Sequence, residues 1–196
     1  MSDPTPDIVR GLWAHMTQRY GSKVADKTNA PLMELIAGAM QLFGVDNASD
    51  FLKNFTTTIA TTIYVPFEIG DDSTGWSLWD QIVICAHEHE HVLQWQREGV
   101  AFAAKYLASS GFRAAYEAEA YRSEAELSWW RTRQVAAPTT LAAHLTAYRC
   151  SQADMNSAAQ IIELSEATIE RGGIINPPTA AVIDWLNTNA PSLRST

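Results

Sequence analysis

The sequence predicts an α+β fold that is mainly α, formed as a single domain across residues 1–196. Three observations carry that expectation. One stretch alone, Thr56 to Ile69, is dense in β-branched and aromatic residues. Most of the remaining chain divides into segments of helical length bounded by capping residues, prolines and glycines. There is no internal repeat or low-complexity tract, and the Pro and Gly positions punctuate elements rather than separate domains. With 196 residues, 46% of them hydrophobic and 18% charged, the chain can bury a substantial core.

Taken in order, the first helix is expected over Pro6 to Arg19. A second opens near Pro31, where proline suits the first turn, and stops before Gly44. A short helix over Ala48 to Asn54 follows. Thr56 to Ile69 reads as one or two strands ending at the Gly70-Asp71-Asp72 turn, with Pro66 marking an edge or a break. Any sheet is therefore small. Ser77-Leu-Trp-Asp80 has the spacing of a capping box, with Asp in the place of the usual Glu or Gln, and Gly99 is positioned to end the helix. That gives a helix of about 20 residues from Leu78 to Glu98. Further helices are expected over Ala101 to Ser109, Phe112 to Gln134, Leu141 to Glu170 with a break near Asp154, and Thr179 to Asn187 after a Pro177-Pro178 stop.

A formal net charge of -8 argues against a surface that tracks phosphates, so nucleic acid is not an expected partner. Nor is a membrane, since no apolar run is long enough to span one. The segment MSDPTPDIVRGLW lacks a basic stretch followed by an apolar one, so a cytoplasmic location is the default expectation. The only cysteines, Cys85 and Cys150, are expected as buried thiols.

The chemistry concentrates in His87-Glu88-His89-Glu90-His91. This run contains HExxH, and residues four apart on a helix lie about 40° apart around its axis, one turn along. His87 and His91 can therefore face one metal ion. Glu88, one position after the first ligand, is placed to take a proton from bound water without coordinating. A catalytic zinc generally has three protein ligands and an open position. The third is sought downstream, in the acidic, alanine-rich segment from Tyr116 to Glu126, where Glu117, Glu119 and Glu124 are the candidates. His89 projects to the opposite side of the helix and is read as a partly buried or surface histidine. Glu90 is read as solvated, and Gln94 as a helix-surface residue with a lesser claim to orient His91.

These features resemble the gluzincin metallopeptidases, in particular their small forms with a minimal catalytic domain. In that clan HExxH lies on one helix, and a glutamate on a following helix, commonly within ExxAD, completes the site. The resemblance covers roughly Thr56 to Trp130. Glu117-Ala-Glu-Ala-Tyr121 matches at Glu117 and Ala120 and departs at Tyr121, where the clan has an aspartate that supports a metal-bound histidine. The resemblance implies a zincin-like core, a Zn2+ cofactor held by His87, His91 and Glu117, Glu88 as catalytic base, and hydrolysis of peptide bonds. It also implies a strand before the HExxH helix that binds extended peptide by strand addition.

An oxyanion donor is expected among Tyr116, Tyr121, Arg122, His144 and Arg149, with His144 and Arg149 favoured as structural. The tryptophans Trp76, Trp79, Trp95, Trp129 and Trp130 are expected to serve the core. The alternative to an enzyme is a non-catalytic module in which the same residues bind metal to tie the helices together. Oligomeric state is left open.

Overall fold

The computed structural model describes residues 2–27, 55–73 and 75–195. The expected helices beginning near Pro31 and Ala48 lie outside these residues. Helix α1 (Pro6–Tyr20) opens with the Thr5 side chain accepting from the Ile8 amide and closes at Gly21, which adopts φ 61°. Strand β1 (Lys23–Asp26) follows, then β2 (Thr57–Ile59) and β3 (Thr62–Val65). The order in the sheet is β1-β3-β2, with β1 parallel and β2 antiparallel to β3. Strands β2 and β3 lie in the stretch from Thr56 to Ile69, where one or two strands were expected; β1 was not expected. Lys-Val-Ala-Asp is too short to show a period, and its pairing with β3 spans about forty residues, so nothing local announces it.

Helix α2 (Leu78–Glu98) has the expected boundaries, with both halves of the Ser77/Asp80 capping box formed and Gly99 as its C-cap. The loop before it is fixed by Gln81, whose Oε1 accepts from the Gly70 amide at 2.8 Å while Nε2 donates to the Asp71 and Trp76 carbonyls. Helix α3 (Val100–Ala108) is a one-residue hinge away, and α4 (Ser110–Thr132) ends at Arg133 in the left-handed region. Helix α5 (Pro138–Ala143) runs into a 3-10 turn (His144–Tyr148), and α6 (Gln152–Ile169) follows. The break thus falls at Arg149–Ser151, ahead of the expected Asp154. Asp154 is instead the third residue of α6, closing a capping box with Ser151. Helix α7 (Pro177–Asn189) contains both prolines in its first turn; they start the helix rather than stop its predecessor, because neither position needs a backbone donor.

The chain is mainly helical with a small sheet. Two apolar clusters flank the α2–α4 pair. One joins α1, the sheet, α2, the C-terminal part of α4 and α7, through Val9, Leu12, Trp13, Ile63, Ile82, Val92, Leu127 and Leu186. The other joins α4, α5 and α6 through Ala118, Ala125, Leu141, Leu145, Ala158 and Ile162. Each fully buried Leu or Ile contributes roughly 1.5–3 kcal/mol by leaving water. Trp13 and Trp130 are buried, and Trp76, Trp79 and Trp129 pack at the edges of these clusters, in keeping with a core role. Cys85 and Cys150 are buried free thiols. No helix among the described residues is long and apolar enough to cross a membrane.

Candidate metal centre

Helix α2 is buried on several sides, which explains its unusual load of interior polar residues. One side, with Ile82, Cys85, Ala86 and Val92, enters the first apolar cluster. Another carries His87 and His91 toward α4, from which Glu117 projects. Glu117 Oε2 lies 3.4 Å from His87 Nε2, and Oε1 lies 3.5 Å from His91 Nε2. One donor atom from each of the three residues falls within 4.8 Å of the others, and among the described residues no fourth His, Cys, Asp or Glu joins them. Glu117 is 1% exposed, yet its Oε2 has no hydrogen-bond partner. A buried carboxylate oxygen without a partner costs on the order of 1–3 kcal/mol or more, which a cation between the three groups removes. The donor set and this orphaned oxygen fit a metal ion.

The electrostatics agree. Burial works against charge on the His91 imidazole, but the adjacent Glu117 carboxylate outweighs it and holds the ring above its ordinary range. Burial likewise acts to raise Glu117, while His91 and His87 hold it well below the usual carboxylate range. Glu117 thus stands as a buried carboxylate against two imidazoles, and at His91 a proton and a metal would compete for Nε2.

Of the three downstream glutamates, Glu117 alone reaches this cluster. Glu119 Oε2 accepts from Gln94 Nε2 at 3.0 Å and from Arg97 at 3.4 Å. Glu124 is a partly buried carboxyl that burial pushes upward and His144 and His87 pull back. Gln94, read as a surface residue, is 0% exposed. Its amide nitrogen donates to the Tyr116 carbonyl and to Glu119, so its Oε1 is left to accept from His91 Nδ1 at 2.8 Å. That bond places a proton on Nδ1 and leaves Nε2 as the ring nitrogen that faces Glu117.

Two further readings of α2 are corrected. His89 is not at the surface: it is fully buried, with Nδ1 donating to the Cys85 carbonyl at 2.6 Å and Nε2 accepting from the Ser22 hydroxyl at 2.9 Å. It ties α2 to the start of β1 as a neutral ring, lowered to about 4 by burial against weaker opposing contributions from Cys85 and Glu88. Glu90 is 4% exposed rather than solvated, and its Oε2 also lacks a partner. Trp13 and Tyr20 of α1 cover His89, while α4 packs along the other side of α2 and brings Glu119 and Arg122 near Glu90, closing off positions that an isolated helix would leave in water.

Glu88 is 3% exposed. The Thr56 hydroxyl donates to its Oε1, and the Thr58 hydroxyl donates to its Oε2 at 2.6 Å. Thr58 lies in β2 and Thr56 just before it, two residues apart, the spacing at which extended chain turns side chains to one side. Lys27, at the end of β1, is fully buried beside them, donating to the Phe55 carbonyl at 2.9 Å and to Thr57 Oγ1 at 2.8 Å. Its burial lowers the ammonium to about 7 against the pull of Glu88.

Two of the expected oxyanion donors are engaged with other partners. Tyr116 donates to Glu98 at 2.6 Å, and Arg122 donates to Asn176 at 3.1 Å. His144 and Arg149 are exposed. Tyr121 does reach the cluster, edge-on to His87 with ring centroids 4.9 Å apart and touching His144 on its other side. It occupies the place where the resemblance calls for an aspartate, and it supplies a ring contact there rather than a carboxylate. Unforeseen are Tyr106, whose hydroxyl donates to Glu117 Oε1 at 2.5 Å, and the Thr56 and Thr58 hydroxyls. The alternation of threonines before the helix could have pointed to the latter; no sequence signal marks Tyr106. Known protein-family models, curated proteins and solved structures give no match to this chain.

Proposed function

We propose that the protein is a zinc-dependent metallohydrolase of the gluzincin kind, a peptidase that uses Glu88 as general base. The observation that carries this reading is the convergence of His87, His91 and the orphaned Glu117 oxygen, with Glu88 next in sequence to the first of them. Three ligands without a fourth side chain among the described residues favour an open coordination position, the pattern of catalytic rather than structural zinc. When bound, the metal supplies a Lewis acid for the scissile carbonyl and lowers the pKa of water toward ~7. His87, His91 and Glu117 hold it.

Glu88 accepts the proton of the attacking water and passes it to the leaving amine. Each carboxylate oxygen carries two lone pairs, so the bonds from Thr56 and Thr58 fix the plane of the group and still leave lone pairs for that proton. Gln94 keeps His91 in the tautomer that offers Nε2. Strand β2 is joined to α2 by Thr58 and lies at the edge of the sheet among the described residues, which suits an extended peptide substrate.

The test is metal content by inductively coupled plasma mass spectrometry on untagged protein, comparing the native chain with His87→Ala and Glu117→Ala. One zinc per chain, lost in both variants and accompanied by Glu88-dependent cleavage of a peptide library, is expected. Native protein that takes up no metal from excess zinc would sink the proposal.

A further inference from the structure

The two oxygens of Glu117 stand in different circumstances. Oε1 accepts a 2.5 Å bond from the Tyr106 hydroxyl, whereas Oε2 has only the 3.4 Å approach of His87 Nε2 and no hydrogen bond. Tyr106 is itself held from several directions. Its ring packs on Phe102 with centroids 5.8 Å apart and edge-on to His91 at 6.4 Å. The Arg113 guanidinium covers the ring at 5.8 Å, and its Nη1 donates to the Tyr106 carbonyl at 2.7 Å. Helix α3 thus brings a fixed donor against a residue on α4, and the donor serves one oxygen alone.

Resting on the metal centre proposed above, we infer that Tyr106 is a positioning residue: its phenol bonds Glu117 Oε1 and so biases the carboxylate to meet the cation through Oε2. A carboxylate free at both oxygens can swing to grip a cation with both, filling the coordination position that water and substrate need. A charge-assisted phenol bond to one oxygen opposes that swing and sets the carboxylate plane. Tyr106 is assigned to the carboxylate ligand, as Gln94 is to the histidine ligand.

The inference is tested on the full chain, stripped of metal and titrated with Zn2+ against a chromophoric chelator and with Co2+ by visible absorption. Tyr106→Phe removes one oxygen and keeps the ring. It should weaken zinc binding roughly 10–100-fold, the range for loss of an outer partner of a ligand. It should also reduce the intensity of the Co2+ absorption band, as a four-coordinate ion becomes five-coordinate. In a Glu117→Gln background the same substitution should leave the residual zinc affinity of His87 and His91 unchanged. An equal loss in that background means that Tyr106 merely supports the fold, and overturns the inference. So does native-like zinc affinity with a native-like Co2+ spectrum in Tyr106→Phe. Native protein that binds neither ion overturns the metal centre itself, so the two failures are distinguishable.

Discussion

At the scale of the residue, the environment of each acidic side chain on α2 separates its task from that of its neighbour. Glu88 and Glu90 are two residues apart and both buried, but Glu88 is bonded by two strand hydroxyls while Glu90 keeps an oxygen without a partner. Glu88→Gln should retain zinc by mass spectrometry and lose about 10²–10⁴-fold in peptide cleavage rate, the usual worth of a general base. Retained activity would assign the base elsewhere. Glu90 gives a different prediction. Burial, aided by Glu119, raises its carboxyl from 4.5 to about 7, so the folded state holds a proton that the unfolded chain releases. Its stabilisation is present below 4.5 and is lost as pH rises toward 7. Glu90→Gln should therefore be more stable than the native chain at pH 8, by up to roughly 3 kcal/mol, and not at pH 4, by urea denaturation in chelator. The facing pair His87 and His91 and the short set of downstream glutamates that includes Glu117 were legible from HExxH and the acidic segment. The burial of Glu90 and His89 was not, because helical angle gives the direction of a side chain but not what packs over it.

At the scale of the element, α2 shows how a local signal becomes a site. Its start depends on the reciprocal Ser77 and Asp80 bonds. Ser77→Ala should cost about 1 kcal/mol, read as a fall in denaturation midpoint, with zinc stoichiometry unchanged. The Ser77/Asp80 cap and Gly99 gave this helix its expected limits, since such signals are encoded within a few neighbouring residues. The same logic explains the misplaced break before α6: Ser151 and Asp154 form a box of the kind recognised at Ser77, hidden inside a run that otherwise reads as helical. The two prolines at 177 and 178 were seen, but their direction was misjudged. Glu126 accepts the Ile175 and Asn176 amides, a long-range anchor for the start of α7 that has no local signature.

At the scale of the molecule, the candidate centre sits at the α2–α4 contact between two apolar clusters that do not depend on a metal. Chelation should consequently abolish activity with helical circular dichroism unchanged and a fall in melting temperature of about 2–4 °C for each kcal/mol of metal binding lost. Unfolding on chelation would instead favour the module whose helices are tied by metal.

The sequence by itself determined the mainly helical class, the limits of α2, the alignment of His87 with His91, and a short set of glutamates for the third position. All of these follow from turn geometry, caps and composition within a few residues of chain. Only the tertiary structure decided that Glu117 rather than Glu119 or Glu124 meets the histidines, that Gln94 fixes His91, and that Thr56, Thr58 and Tyr106 bond the two carboxylates. Those outcomes depend on how α3, α4 and the sheet pack around one helix, where a shift of one residue along α4 turns a side chain by about 100° and replaces the ligand with its neighbour.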